Sequence, residues 1–220
     1  MKTLPGKSKA SGLTLIEVLA VLAILAILAA LLLPANTHGG KARIPWCMSN
    51  QKQIAIALIL YQADNFGKYP WQESATNDGL MNLVPNIQMS VCFRALTNYT
   101  GKQTQIFVCP SDITRQPPAA RAEIANANIS YFADLDAITN LNSILTGDRY
   151  LEYNGNLVKS GVFIQSTNTI LNWANGFHHA QGKPGGVFSF TDGHAQFVRQ
   201  DYLNRTLQNQ PLATNRFCFP

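Results

Sequence analysis

At residues 13–33 the chain reads LTLIEVLAVLAILAILAALLL, an apolar run with a single charged residue, Glu17. A helix of about 20 apolar residues is long enough to span the hydrocarbon core of a bilayer. A lone carboxylate in hydrocarbon costs roughly 2–3 kcal/mol or more, so such a group is usually retained for a partner. We therefore predict a membrane-embedded helix over residues 13–33 in which Glu17 has a dedicated partner.

The residues ahead of this run are short, polar and basic, MKTLPGKSKASG. A secretory signal would have a shorter apolar stretch and a small-residue cleavage site, for which the Ala-rich segment 28–35 is the best candidate. A plain signal anchor explains the hydrophobicity but not the order Gly-Leu-Thr-Leu-Ile-Glu at residues 12–17. Both alternatives remain open beside a third.

The third interpretation is that residues 12–17 resemble the processing site of type IV pilins and type II secretion pseudopilins. The resemblance implies that a prepilin peptidase cleaves between Gly12 and Leu13 and methylates the new amine of Leu13, which stands where Phe is usual. It also implies that Glu17 neutralises the N-terminal ammonium of a neighbouring subunit in a filament, so that two buried charges become one pair.

The charges that flank the apolar run indicate its orientation. Lys2, Lys7 and Lys9 precede it, and Lys41 and Arg43 follow it. The bias of basic residues toward the cytoplasmic side favours a cytoplasmic N-terminus and a periplasmic head. We expect a single-pass protein of the bacterial inner membrane that enters a filament after assembly.

The chain divides into four predicted segments: a leader at 1–12, a transmembrane half-helix at 13–33, a periplasmic stem helix at 34–66 and a β-rich head at 67–220. Pro34 is expected to kink the helix, and Gly39-Gly40 and Pro45 to leave residues 34–45 bent or unwound.

Helical periodicity returns from Trp46 to about Asn65. Its predicted apolar face contains Cys47, Ile54, Leu58 and Tyr61, widened by Ile56, Ile59 and Leu60. Asp64-Asn65 followed by Gly67 predicts the helix end, because Asn and Gly tolerate a left-handed backbone.

The segment Lys41 to Pro70 also resembles the region after the anchor in pseudopilins of the type II secretion G class, and in a bacterial group with an H-X9-DG motif. Cys-Pro-Ser-Asp at residues 109–112 and Asp192-Gly193-His194 resemble the same group. The histidine is displaced, since twelve residues separate His179 from Asp192. Any role of that histidine is therefore open.

Beyond Tyr69, short β-rich runs alternate with turns. We predict strands at 105–109, 129–133, 143–146, 161–165 and 169–173, a turn or two of helix within 115–127, and loops with short helical pieces at 72–100. Asp192-Gly193 predicts a two-residue type I′ hairpin turn that sets Phe188 opposite Phe197. One face of this hairpin is expected in the core and the other exposed to solvent.

The four cysteines permit two disulfides in an oxidising compartment. Three connectivities are possible, and we favour Cys47–Cys109, which ties the stem to the head, with Cys92–Cys218, which fixes the C-terminal tail. Buried thiols are the alternative.

The sequence offers little support for catalysis, metal binding or nucleic-acid binding. The net charge of +5 falls to +2 without the leader lysines, and there is no basic stripe. His178, His179, Asp192 and His194 have the side chains of a metal or general-base site, but the turn already needs Asp192. Asp134, Asp136 and Asp148 are candidate calcium ligands whose spacing does not form an EF-hand loop. We expect no enzyme activity and no cofactor.

We predict an α+β, pilin-like fold in which a long N-terminal helix packs on an antiparallel sheet. The predicted function is that of a structural subunit of a type II secretion pseudopilus. The predicted partners are prepilin peptidase, other copies or related pseudopilins, the inner-membrane platform and membrane lipid. A type IV pilin, and a periplasmic binding or enzymatic domain exported on a pilin-type leader, are the alternatives.

Overall fold

The computed structural model describes residues 14–32, 43–73, 88–139, 142–174 and 184–220. The chain forms two compact units, residues 1–38 and residues 39–220. The first contains helix α1 (Leu15–Leu32). Across the described ranges, no helix is both long and apolar enough to cross a membrane. The predicted processing site at Gly12 and Leu13, the kink at Pro34 and the histidines 178 and 179 lie outside the described residues.

The second unit has the predicted α+β architecture. Its helices are α2 (Arg43–Asp64), α3 (Met89–Leu96) and α4 (Gln200–Gln208), with 3₁₀ turns at Pro70–Gln72, Gln105–Phe107, Arg121–Glu123 and Asn126–Asn128. Its strands are β1 (Tyr131–Asp134), β2 (Ile144–Asp148), β3 (Leu151–Tyr153), β4 (Asn156–Leu157), β5 (Gly161–Ser166), β6 (Leu171–Trp173), β7 (Gly185–Phe190), β8 (Ala195–Arg199) and β9 (Thr214–Phe219).

Within the described residues, the strands form two antiparallel sheets. The main sheet has six strands in the order β5-β9-β1-β2-β7-β8, and the smaller one has three in the order β4-β3-β6. The C-terminal strand β9 lies between β5 and β1, so the end of the chain is an interior strand of the sheet. Four of the five predicted strands are confirmed, at 129–133, 143–146, 161–165 and 169–173.

The fifth predicted strand is wrong. Residues Gln105–Phe107 form a 3₁₀ turn that buries Ile106 and Phe107. A short apolar run of this kind does not distinguish a strand from a buried turn, because both place apolar side chains in the core. The predicted turn or two of helix within 115–127 is present as Arg121–Glu123 and Asn126–Asn128, the second of which extends one residue beyond that range. A short helix, α3, is present within 72–100, although residues 74–87 are not described.

Helix α2 packs on the main sheet with the predicted face. Cys47, Ile54, Leu58 and Tyr61 are all buried, together with Ala55 and Ala57. The predicted widening of this face is wrong for Ile56 and Leu60, which are 43% and 47% exposed, whereas Ile59 is half-buried. The buried face of α2 therefore combines the larger Ile54 and Leu58 with the small Ala55 and Ala57.

The two ends of α2 also differ partly from expectation. Arg43 to Pro45 are helical rather than bent, since proline in the first turn gives up only an N–H that has no helical partner there. The C-terminal end is as predicted: the Gly67 N–H donates to the Gln62 carbonyl at 2.9 Å, and Phe66 and Gly67 have φ of 53° and 79°.

Both faces of the sheet centre are covered. One buried cluster joins α2 and α3 to Tyr131, Leu145 and Val187. A second, on Phe132, Phe188 and Phe217, contains residues of β3, β6 and α4. All six residues of β7 are buried, so the prediction of one wet face is wrong for this strand.

The β7–β8 hairpin exists, but its predicted register is wrong by one residue. Val187, not Phe188, lies opposite Phe197. The Phe190 N–H donates to the His194 carbonyl at 3.0 Å, and the Gly193 N–H to the Phe190 carbonyl at 2.9 Å. Only Gly193, at φ 86°, has a left-handed backbone there. The connection is therefore a three-residue turn with Gly in the bulge position, which sets a different register from a type I′ turn.

Candidate functional site

The predicted assembly residue Glu17 lies in the first turn of α1 and caps it. Its Oε2 accepts hydrogen bonds from the Thr14 N–H at 2.7 Å and from the Thr14 hydroxyl at 2.8 Å, while the Glu17 N–H donates to Thr14 Oγ1 at 3.4 Å. This is a reciprocal capping box, in which an N-cap Thr and a Glu three residues later satisfy each other's backbone donors. We did not predict this cap, although Thr-x-x-Glu before an apolar run is a local sequence signal for it.

The side chains of α1 from Leu15 to Ala29 are exposed on every face of the helix. Leu15 and Ile16 are 80% and 75% exposed, and all described side chains from 14 to 29 are in the exposed class. An uncovered apolar surface of this kind indicates a site of contact with another apolar phase or another protein.

A disulfide joins Cys47 of α2 to Cys109, with a Cα–Cα distance of 5.3 Å. This is the first of the two favoured pairs, and it ties the start of α2 to the Cys-Pro-Ser-Asp segment. The second favoured pair is wrong: all four cysteines lie in described ranges, and Cys92 and Cys218 are buried thiols. Burial raises the pKa of both thiols. They occupy the apolar core as small hydrophobic side chains.

A buried polar contact fixes α2 on the sheet. Gln51, fully buried, donates to the Val187 carbonyl at 3.4 Å and accepts from the Thr146 hydroxyl. Thr146 in turn contacts Ser189 Oγ at 2.6 Å. Helical periodicity places Gln51 among the polar residues of α2, so its burial was not predicted. Only the register of β2 against β7 brings two hydroxyls beneath it.

The Asp112 carboxylate is the centre of a second network. It accepts hydrogen bonds from the hydroxyls of Tyr150 and Thr114, each at 2.6 Å, and of Ser130 at 2.9 Å. Arg149 Nε lies 3.1 Å from Oδ2. Burial alone would raise the pKa of Asp112, but these hydrogen bonds and the Arg149 charge outweigh it and hold that pKa well below its usual range.

The three candidate calcium ligands are not brought together. Asp134 lies at the end of β1, while Asp148 is paired with Tyr131 at its start. Asp136 is held by Arg216, whose Nε and Nη2 lie 3.0 and 2.5 Å from its carboxylate oxygens. Among the described residues, no group of three or more His, Cys, Asp or Glu side chains is arranged to hold a metal ion.

In the hairpin turn, the side chains of Asp192 and His194 contact each other. Asp192 Oδ1 accepts from the His194 N–H at 2.9 Å and lies 2.5 Å from His194 Nδ1. The imidazole stacks on Phe190 with ring centroids 4.3 Å apart. These contacts give both side chains a role in closing the turn.

A cavity of about 610 Å³ opens beside the turn that follows β1. The Trp71 indole lines it, is 4% exposed, and its Nε1–H has no hydrogen-bond partner among the described residues. The other lining residues are mixed in character and include Leu135, Ile138, Leu212 and Arg216. They come from distant parts of the chain, so no local pattern predicts this cavity.

Comparison with known proteins identifies one region of the chain. Residues 7–33 match the family model of the prokaryotic N-terminal methylation motif. No curated protein and no solved structure matches the chain. The match spans residues 7–12 of the basic leader, the Gly12–Leu13 bond, Glu17 and the apolar run. By this match, residues 7–33 of the chain carry a prepilin-type N-terminal methylation motif.

Proposed function

We propose that this protein is a structural subunit of a type II secretion pseudopilus. Prepilin peptidase cleaves the leader between Gly12 and Leu13 and methylates Leu13. The processed subunit stays in the inner membrane, with its head in the periplasm. The secretion platform then adds it to a filament of identical or related subunits. The role is mechanical, with no reaction catalysed and no cofactor required.

The observation that carries this proposal is the position of the methylation motif on an apolar helix that bears one carboxylate in its first turn. An ordinary anchor has no use for that carboxylate, and hydrocarbon disfavours it. A neighbouring subunit's N-terminal ammonium, freed by cleavage, would balance its charge.

The capping box gives Glu17 an internal partner before assembly. Thr14 satisfies the carboxylate through two hydrogen bonds but leaves its charge uncompensated. In a filament the ammonium of the next subunit would supply the opposite charge in an apolar bundle, where an ion pair is much more favourable than either charge alone. Glu17 would therefore bond to Thr14 before assembly and pair with the ammonium of a neighbouring subunit in the filament.

The head supports a mechanical role because α2 is held to it at several points. The Cys47–Cys109 disulfide, the Gln51 contacts and the Asn50 Nδ2 hydrogen bond to the Val108 carbonyl at 3.2 Å all act on the first turns of α2. A force on α2 would therefore be carried by the sheet. The resemblance of Lys41 to Pro70 to the G class favours a secretion pseudopilin over a type IV pilin.

The mature N-terminus tests the proposal. The full chain, expressed with a prepilin peptidase, should begin at a methylated Leu13 by mass spectrometry of the intact protein. The chain expressed without the peptidase is the control and should retain Met1. An intact leader in the presence of an active peptidase would rule the proposal out.

A periplasmic binding domain on a pilin-type leader is the second candidate, favoured by the cavity beside Trp71. That candidate predicts a head that functions without assembly. A subunit that is never recovered in filaments, even when correctly processed, would favour it.

A further inference from the structure

The strand β5 forms one edge of the main sheet and carries no charge. Its sequence is Gly-Val-Phe-Ile-Gln-Ser, and it pairs over its whole length with β9. Proteins usually protect an edge strand with Lys, Pro or a bulge, because unpaired backbone groups invite another strand. The β5 pairing has no register shift and the strand has no such residue. The opposite edge, β8, ends in Arg199 and continues into α4.

The hydrogen bonds around β5 show which backbone groups point outward. The Thr167 N–H donates to the Ala213 carbonyl at 3.1 Å, which continues the β5–β9 register by one pair. Hydrogen-bonded pairs alternate in an antiparallel ladder, so Phe163 and Gln165 bond to β9 and Val162 and Ile164 turn away. The same alternation turns Ser166 away from β9, and its N–H accordingly donates to Thr169 Oγ1 at 3.0 Å.

A cavity of about 620 Å³ adjoins this open edge. Its walls come from the β3–β4 hairpin and from β5, and they include Tyr153, Leu157, Val158, Lys159, Val162 and Phe163. Tyr153 packs on Phe163 with ring centroids 5.5 Å apart. Phe163 and Phe217 are paired, so the cavity lies on the face of the second buried cluster.

We propose that β5 is a self-association edge that pairs antiparallel with β5 of a second copy of this chain. With Phe163 opposite Phe163 of the other copy, Val162 of each copy lies opposite Ile164 of the other. The outward N–H and C=O groups of these residues then form four hydrogen bonds about a two-fold axis. The Phe163 residues become a closely spaced pair, and each ring can enter the cavity of the facing copy.

A second copy suits this edge because the edge is complementary to itself. Val162 and Ile164 are separated by one residue, so two-fold symmetry places the backbone N–H and C=O of each opposite those of the other residue in the second copy. The strand has no charge, so two copies meet without like-charge repulsion. Ile164 is 65% exposed on the face opposite Phe163, and pairing would cover part of it. The edge is available to a second copy whether or not the chain is a pseudopilin.

Photo-crosslinking in the full chain tests the proposal. A benzophenone amino acid in place of Leu157, at the cavity wall, should crosslink two copies in detergent solution. Mixing ¹⁴N- and ¹⁵N-labelled chains distinguishes crosslinks between copies from those within one. We expect the acceptor to be the peptide that contains Phe163 of the other copy. No such crosslink, or one only to a different surface or a different protein, would overturn the proposal.

Ile164→Pro supplies the discriminating variant, because it removes an outward N–H without a hydrogen bond to β9. Two of the four intercopy hydrogen bonds are lost, so the crosslink yield should fall about tenfold. Ile164→Ala keeps the N–H and should retain the crosslink. An unchanged yield in Ile164→Pro would contradict the proposal. If this variant is not folded, Val162→Pro, which removes the other outward N–H, takes its place.

Discussion

Arg149 Nε lies 3.1 Å from Asp112 Oδ2, and this ion pair joins the end of β2 to the Cys-Pro-Ser-Asp segment. The Asp112 side chain is fully buried, whereas that of Arg149 is 20% exposed. Since Cys109 of the same segment is bonded to Cys47, the pair and the disulfide together connect the sheet, the segment and α2. Loss of this carboxylate would remove the opposite charge of Arg149 and the hydrogen-bond acceptor of the Ser130 hydroxyl.

We therefore predict that Asp112→Ala destabilises the head by about 3–5 kcal/mol, the usual cost of leaving one buried charge without its partner. Because the pKa of Asp112 is lowered by folding, its contribution is present above about pH 4 and is lost as the pH falls below that value. Urea unfolding at pH 7 and pH 3 measures both effects. Asp201→Ala, at an exposed pair with Arg199, is the control and should change stability little.

Asp134 should have the opposite pH dependence. Burial raises its pKa to about 8, since the carboxyl is enclosed at the end of β1 beside Asp136. The folded state holds a proton that the unfolded state releases above about pH 4, so stability falls as the pH rises from about 4 to about 8.

Asp134→Asn should remove this decline because the amide stays neutral. The free energy of unfolding of the variant should exceed that of the wild type by about 5 kcal/mol at pH 8 and match it near pH 4. Thermal unfolding across this range gives the comparison, and a parallel decline in both proteins would show that another group is responsible.

The Cys47–Cys109 disulfide closes a long loop, with a sequence separation of 62 between its ends. The chain-entropy relation gives about 4 kcal/mol for such a loop. Replacing both cysteines by Ser should therefore lower the free energy of unfolding by about that amount. Cys92→Ala, which removes a buried thiol, is the comparison. Reductant should lower the free energy of unfolding of Cys92→Ala as it does for the wild type, and should leave that of the double variant unchanged.

Gly193 is the hairpin residue whose backbone conformation favours glycine. At φ 86° an L-residue with a Cβ is strained, so Gly193→Ala should cost about 1 kcal/mol. Gly193→Asn should cost less, because Asn tolerates this conformation. The difference in unfolding free energy between the two variants is the measurement. Equal losses would indicate that contact with Ile59, 3.4 Å from a Cβ built there, decides the outcome.

Much of the head could be predicted from the sequence because its signals are local. The α2 periodicity, the end at Gly67 and four strands all follow from a few neighbouring residues. The failures arise where the answer depends on distant partners. The type I′ assignment of Asp192-Gly193 failed because Thr191 belongs to the loop. Its N–H donates to the carbonyl of the distant Ser143 at 3.0 Å, and the resulting three-residue turn shifts the pairing of β7 with β8 by one residue.

The candidate sites show the same division. The methylation motif and the Thr14–Glu17 capping box are contained in a short stretch of residues. The contacts of Gln51 and Asp112 instead join residues up to 136 positions apart, and no pattern in either neighbourhood predicts them. The exposure of Ile56 and Leu60 was missed for a related reason: which apolar residues of α2 are covered depends on where the distant sheet lies against the helix.

Variants of Glu17 can separate the role of its side chain in the helix cap from its role in filament assembly. Glu17→Gln keeps an oxygen that can accept from the Thr14 N–H but removes the charge, whereas Glu17→Ala removes both. Under the proposed function, both variants should be cleaved and methylated like the wild type, and both should be incorporated poorly into filaments when co-expressed with it. Thr14→Val, which removes only the hydroxyl, should assemble normally. Quantitative mass spectrometry of sheared filaments against the membrane pool gives the incorporation ratio. Normal incorporation of Glu17→Gln would show that the carboxylate serves the helix cap alone, since a neutral amide cannot balance a neighbouring ammonium.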